Sequence, residues 1–255
     1  MKAGPWLRWG FFLMLMGGWE LFCRSARLSA LVLPAPSAIG EALWQGIATG
    51  YFWPHLLHTG TELLLGLALG SLLGFVGGTV MAESAFMRRF LMPYVVVSQV
   101  VPKLALAPLF IVWFGFGMTS TVVITALICF FPLMENTLTS LQQVNPQKLE
   151  LFKMLGATRL QTLWRLKIPA SLPAIMAGFR VAAVLALVGA VVGEFIGSSR
   201  GLGALIIASQ SMMDTPLMFA VLVIITLLGW VVYQMALGLE RLCQPPISKI
   251  LKGKT

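Results

Sequence analysis

The stretch from Leu63 to Ala82 contains no charged side chain, and comparable apolar runs come after it along the chain. A helix needs about 20 apolar residues to cross the hydrocarbon layer of a bilayer. Inside that layer each backbone N–H and C=O must find a partner within the protein, and a helix supplies all of them locally. Composition agrees. Of 255 residues, 58% are apolar and 11% charged, whereas about a quarter are charged in soluble domains. The expected fold class is therefore all-α and integral to the membrane, with about six transmembrane helices in one domain spanning 1–255. The net charge of +9 does not require nucleic acid, because the basic residues flank the spans, and no nucleic-acid partner is expected.

The spans can be placed in order. The first covers the apolar run Trp9 to Cys23 and must start near Pro5 to reach spanning length. It has no small-x-small cleavage site, and Phe22 spoils a lipoprotein site, so it reads as uncleaved. Residues 24–58 are too broken for a span. They suit an extracytoplasmic segment with a surface helix near 37–49 and an aromatic belt of Trp44, Tyr51, Phe52 and Trp53. His55 and His58 lack further ligands and read as interfacial polar residues rather than a metal pair. The second span is Leu63 to Ala82, where Gly66, Gly70, Gly74 and Gly78 share one face and invite a close helix neighbour. The third, Leu91 to Phe114, is interrupted by Pro93, Pro102 and Pro108. The fourth is Ser120 to Leu141, with Glu135 placed to cap or brace the polar segment after it. The fifth runs from about Ala174 to Ile196. GSSRGLG (197–203) then reads as a flexible outer connection, leading to a short helix that ends at Met213. The sixth span starts at Asp214 or Thr215 and ends near Glu240.

Most basic residues then fall on one side: Lys2, Arg8, Arg88, Arg89, those of 145–169, and Arg241, Lys249, Lys252 and Lys254. Arg24, Arg27 and Arg200 fall on the other. The bias places both termini in the cytoplasm. The cysteines Cys23, Cys129 and Cys243 are odd in number and widely spaced, which suits neither a metal site nor a disulfide framework.

The longest polar break is NPQKLELFKMLGATRLQTLWRLKIP, residues 145–169. Asn145 is a suitable N-cap and Pro146 suits the first helical position. This helix should run to about Leu155, with Gly156 as its left-handed stop. Thr158 and Gln161 stand in capping-box relation, so a second helix starts there and should end before Pro169. Leu151, Met154 and Leu155 share one face of the first helix, as Leu160, Leu163 and Trp164 do on the second. Their basic content puts this helical elbow on the cytoplasmic side.

The spacing of Glu150, Gly156 and Pro169, with Leu166 and Ile168 before the proline, resembles the EAA loop of bacterial ABC-importer permeases. Leu151 and Phe152 stand where that motif has two alanines. Further matching stretches are VPKLALAPLFIVWFGFG (101–117), FFPLMENTL (130–138), AVVGEFIGSSRGLGALI (190–206) and TPLMFA (215–220). They resemble the nitrate, sulfonate, taurine and thiamine-pyrimidine-precursor branch. The resemblance implies a type I importer permease fold in the bacterial inner membrane. It implies 145–169 as coupling helices, with Glu150, Lys153, Leu155, Gly156, Ala157, Thr158, Arg159 and Pro169 facing the ATPase. It also implies a second permease copy in a homodimer, a cytoplasmic ABC ATPase dimer that binds ATP and Mg, and an extracytoplasmic substrate-binding protein, all around membrane lipid. The solute would be a thiamine-pyrimidine precursor or related heterocycle, with sulfonate, taurine or nitrate as alternatives.

The residues themselves add a candidate pathway. Lys103 lies in mid-span beside Pro102. Broken helices and intramembrane charges usually mark a pathway or a buried partner. Gln99, Lys103, Trp113, Asn136 and Glu194 are the candidate lining residues. A snorkelling Lys103, or one paired with Glu135 or Glu194 for structure, remains equally open. The chain has no G-x-x-x-x-G-K-[S/T] loop, no Cys/His metal set and no nucleophile beside a base. It is expected to be no enzyme, to hold no metal or cofactor, and to leave ATP hydrolysis to a partner. Two other classes compete: a membrane enzyme using Glu194, Glu135 or Lys103, and a non-transporting scaffold.

Overall fold

The computed structural model describes residues 5–25 and 31–243, and every regular element among them is helical. Lys2, Arg27, Lys249, Lys252 and Lys254, which carry part of the charge bias, lie outside the described residues, as does the side chain of Arg8. The first helices are α1 (Pro5–Ser25), α2 (Pro36–Ala48), α3 (Phe52–Glu83) and α4 (Ala85–Val100). A 3₁₀ turn (Lys103–Leu106) leads to α5 (Ala107–Phe114), then α6 (Met118–Gln142), α7 (Pro146–Met154) and α8 (Arg159–Thr162). A π-helical turn (Leu163–Lys167) joins α8 to α9 (Ile168–Gly197), and α10 (Leu202–Ser211) and α11 (Thr215–Cys243) complete the order. Among the described residues, four segments are long and apolar enough to cross a membrane: α3, α6, the joined α8–α9 stretch Arg159–Gly197, and α11. The other two expected crossings are α1 and the interrupted α4–α5 pair.

The centre is a three-helix stack, with α6 between α3 and α9. Gly66, Gly70, Gly74 and Gly78 are all buried on α3. A Cβ on Gly74 would lie 2.6 Å from the Phe130 carbonyl oxygen, and one on Gly78 would lie 2.6 Å from that of Met134. At Gly70 it would run into the Ala126 carbonyl. The α3 backbone therefore rests directly on α6. Each glycine costs a helix about 0.5–1 kcal/mol against alanine; dispersion contacts between closely packed backbones offset that cost where no water is available to be expelled. A second small-residue face, with Gly189, Gly193 and Gly197 at the same four-residue spacing, lies on α9. A Cβ at Gly178 would sit 2.6 Å from Asn136 Cβ, and one at Gly193 2.8 Å from Thr121 Cγ2.

Several boundaries differ from expectation. Helix α3 begins at Phe52, not near Leu63, because His55 and Thr59 find polar partners on the α9–α10 connection and the helical backbone continues outward to them. The preceding turn is made by Gly50 at φ +72°. The elbow's second helix does not stop before Pro169. It passes into α9 through the π turn, where the Ile168 N–H donates to the Leu163 carbonyl. A wider turn next to a proline absorbs the missing N–H without ending the helix. The fifth span therefore starts at Ile168 rather than Ala174, and the sixth continues to Cys243. The 197–203 connection is pinned rather than flexible: Ser198 Oγ donates to the Arg200 carbonyl, and Gly201 and Leu202 are tied to α3.

Arg24, one of the basic residues on the minority side, is paired with Glu20 at 2.7 Å. Glu20 also accepts from the Ser37 N–H and hydroxyl at 3.0 and 2.8 Å, fastening α1 to the start of α2. The three cysteines are free.

Candidate functional site: the elbow and the broken span

The elbow is fixed by its own sequence. The Gln147 N–H donates to Asn145 Oδ1 at 2.9 Å, capping α7. Gly156 has φ +72°, and the Ala157 N–H donates to the Phe152 carbonyl as the chain reverses. The capping box is complete: the Gln161 N–H donates to Thr158 Oγ1 at 3.2 Å and the Thr158 N–H to Gln161 Oε1 at 2.9 Å. Both reciprocal bonds satisfy donors that a helix start would otherwise leave open.

The apolar faces point away from the chain. Met154 is 85% exposed and Leu155 73%, with Leu151, Leu160 and Trp164 also exposed. Only Leu163 is buried, while Leu149 and Phe152 are half-buried. The i, i+3, i+4 spacing thus marks a real ridge, but one left uncovered by this chain. Glu150, Lys153 and Arg159 are exposed around it, Gly156 and Thr158 form the turn, and Ala157 is half-buried. Pro169 lies beyond, at the start of α9.

The elbow is joined to the bundle at two places. Its second limb is continuous with α9. In addition, Lys167 Nζ donates to Glu83 Oε1 at 2.6 Å, linking the π turn to the end of α3. Further along α9, Arg180 pairs with Glu240 at 3.0 Å and lies near the Tyr233 ring, linking α9 to α11. Glu135, expected to brace the elbow, is exposed and forms no ion pair among the described residues.

The pathway candidates separate into groups. Gln99 is exposed on α4, and Lys103 is half-buried in the 3₁₀ turn, its Nζ 4.6 Å from the centre of the Phe131 ring on α6. A cation over an aromatic face is worth about 0.5–2 kcal/mol. Among the described residues Lys103 has no carboxylate partner within ion-pair distance. Asn136 is half-buried where α6 crosses α9, its amide donating to the Pro132 carbonyl at 2.8 Å. Trp113 is 63% exposed at the end of α5, near the turn where the Gly117 N–H donates to the Gly197 carbonyl. Glu194 is wholly buried and accepts hydrogen bonds from the Thr59 hydroxyl and the Gly203 N–H. The structure therefore places Lys103 and Glu194 in separate environments.

His55 and His58, expected to be no more than interfacial, belong to a polar cluster. His55 Nδ1 lies 3.0 Å from the Gly201 carbonyl and 3.2 Å from its N–H, and His58 Nε2 lies 3.2 Å from Glu62 Oε1. A cavity of about 700 Å³ opens beside them, lined by Pro54, His55, His58, Thr61, Ser199 and Arg200 among others. The available signal was the spacing of His55, Thr59 and Glu62 along one helix face.

Residues 66–244 match the family model described as the binding-protein-dependent transport system inner membrane component. The chain belongs to this family. It is an ABC-importer permease, a multi-pass component of the inner membrane. The permease is 38% identical over 237 residues to the formylaminopyrimidine transport permease protein ThiX of Halalkalibacterium halodurans, covering 92% of this chain and 93% of that one. It is 35% identical to the riboflavin transport system permease protein RibX of Chloroflexus aurantiacus, over 90% and 86% of the two chains. It is 29% identical to the taurine transport system permease protein TauC of Escherichia coli, over 91% and 86%. A chain of the MetNI methionine ABC transporter superposes with TM-score 0.66 at 17% identity, covering 74% of the permease and 94% of that chain. That likeness establishes the type I importer permease fold. The family description also implies an ATPase and a substrate-binding protein as partners.

Proposed function

We propose that this permease carries a small nitrogen heterocycle of the thiamine-pyrimidine-precursor class. The observation behind this is the 38% identity to the formylaminopyrimidine permease across almost the full length of both chains. The riboflavin permease, at 35%, supports the broader heterocycle class, and the taurine permease is more distant at 29%. Thermal-shift measurements on the cognate binding protein test the reading. Stabilisation by formylaminopyrimidine and not by riboflavin, taurine, an aliphatic sulfonate or nitrate is the expected result. Stabilisation by taurine or a sulfonate alone overturns it.

In this reading two copies pair around a central pathway, and both termini face the cytoplasm. The exposed ridge of Leu151, Met154 and Leu155 enters a cleft of the ATPase, with Glu150, Lys153, Ala157, Thr158 and Arg159 around the contact. The ATPase subunits bind ATP and Mg. Their closure pushes the elbow, and the continuous α8–α9 helix and the Lys167–Glu83 bridge carry that displacement into the bundle as rigid-body rocking. Gln99, Lys103 and Asn136 line the pathway near the broken span, with Trp113 at its outer mouth. The binding protein delivers solute to the outer loops 114–119 and 197–215.

A further inference from the structure

Glu62 on α3 and Glu194 on α9 meet inside the bundle. Neither has any exposed surface, and their carboxyl groups face one another. Their surroundings are unequal. Glu194 is surrounded by donors: the Thr59 hydroxyl donates to its Oε1 at 2.6 Å and the Gly203 N–H to its Oε2 at 2.5 Å. The Leu202 N–H donates in turn to Thr59 Oγ1 at 2.8 Å, so the Thr59 hydrogen is committed to Glu194. The two Glu62 oxygens are buried and receive no hydrogen bond from any described donor.

Every ionisable neighbour can be named. On α3, His58 Nε2 lies 3.2 Å from Glu62 Oε1 but off the hydrogen-bond direction, and His55 is held by the Gly201 backbone. On α6 the nearest polar group is the Thr121 hydroxyl, directed at the Gly117 carbonyl at 3.4 Å. On the α9–α10 connection only Arg200 is charged, and it is exposed. An ionised carboxylate only accepts hydrogen bonds. Two ionised carboxylates in contact, away from water, repel strongly, and such pairs retain a proton. Glu194 already accepts from a hydroxyl and a backbone amide, whereas Glu62 accepts from none. The hydrogen in the contact is therefore the one on Glu62.

We propose that Glu62 and Glu194 form a proton-binding site holding one proton between them, and that this proton latches the Gly201–Gly203 segment, and with it α10, to α3. The glycines make the latch possible, since a Cβ on Gly201 would run into the Glu194 carboxyl and one on Gly203 would lie 2.9 Å from Glu194 Oε2. The ligand is a proton rather than a metal ion: among the described residues no set of three His, Cys, Asp or Glu side chains suited to a metal occurs. The latch sits on the face where 197–215 meets the outside and does not depend on which solute is carried. It is closed while the proton is bound and opens as pH rises.

The test uses the full chain reconstituted in lipid. Infrared difference spectra against Glu62→Gln should show a protonated-carboxyl band in the wild type that the variant lacks. Hydrogen exchange at residues 201–205, corrected for intrinsic rates, should accelerate in the wild type as pH rises. Glu62→Gln should keep its protection at every pH, because its amide donates to Glu194 without titrating. Glu194→Gln should lose protection by roughly tenfold or more, because its NH₂ turns toward donors. An identical carboxyl band in wild type and Glu62→Gln overturns the proposal. So does equal loss of protection in the two variants, or a band that responds to sodium and not to pH.

Discussion

Gly156 and Lys103 show how differently single residues can act in this molecule. A Cβ on Gly156 would meet nothing within 4 Å, so steric crowding is not what reserves the position for glycine. Its φ of +72° is. A left-handed backbone costs a non-glycine residue about 1–2 kcal/mol, and more when it is β-branched. Gly156→Val should therefore leave the membrane bundle intact and alter the angle between α7 and α8. Its expected signature in proteoliposomes is normal insertion with reduced ATPase pull-down and reduced binding-protein-stimulated hydrolysis. Wild-type values for both would remove 145–169 from the coupling role. Lys103 carries the opposite risk, a charge at the break of a span. Lys103→Met keeps the aliphatic stem against Phe131 and removes the cation. The complex should still assemble on size exclusion while uptake falls; loss of assembly would make the lysine structural.

At the scale of elements, the close faces decide what tolerates change. Gly70 and Gly77 lie on the same helix, but a Cβ on Gly70 would strike the Ala126 backbone, whereas one on Gly77 would touch the Phe130 ring at an ordinary 3.6 Å. Gly70→Ala should lower thermal stability in detergent by about 1–3 kcal/mol, the usual cost of overpacking. Gly77→Ala should be near neutral, and equal behaviour of the two would refute the close crossing. The α3 face was legible because glycine every fourth residue is a strong pattern in an apolar helix. The face on α9 carries Gly189, Gly193 and Gly197 at the same four-residue spacing, but the buried Ala182, Ala183, Ala186 and Ala190 widen the stripe and blur which side lies closest to a neighbour. The elbow's caps could be read because capping is local chemistry. The continuation through Pro169 could not, since a π turn leaves no residue-type signature. Lys167–Glu83 and Glu62–Glu194 join distant segments, and only the packing of three helices brings them together. The exposure of the elbow ridge was likewise unreadable, because spacing tells which residues share a face and not whether the chain covers it.

For the whole molecule, the side on which each loop lies is the decisive check. With both termini inside, Ser199 lies outside and Lys148 inside, and both are exposed. Single cysteines at these positions should react with an impermeant maleimide from opposite sides of sealed vesicles. Labelling of both from one side would break the topology. The π turn at Leu163–Lys167 has a further consequence, for the relative phase of two parts of the protein. A π turn accommodates one residue more than the α-helical ladder around it, and each residue advances a helix by about 100°. The turn therefore absorbs one residue while elbow and bundle keep nearly the phase of an unbroken helix. Removing one residue from 163–167 would restore an unbroken α ladder with little change of phase, whereas one residue added after Thr162, with nothing left to absorb it, would rotate α8, with α7 beyond it, by about 100° around the α9 axis. The spans would remain as they are, but the Met154 ridge would present itself in a different direction. Such an insertion variant should enter the membrane normally and fail to recruit its ATPase, which would make the helical register at this one turn a determinant of which way the permease faces its motor.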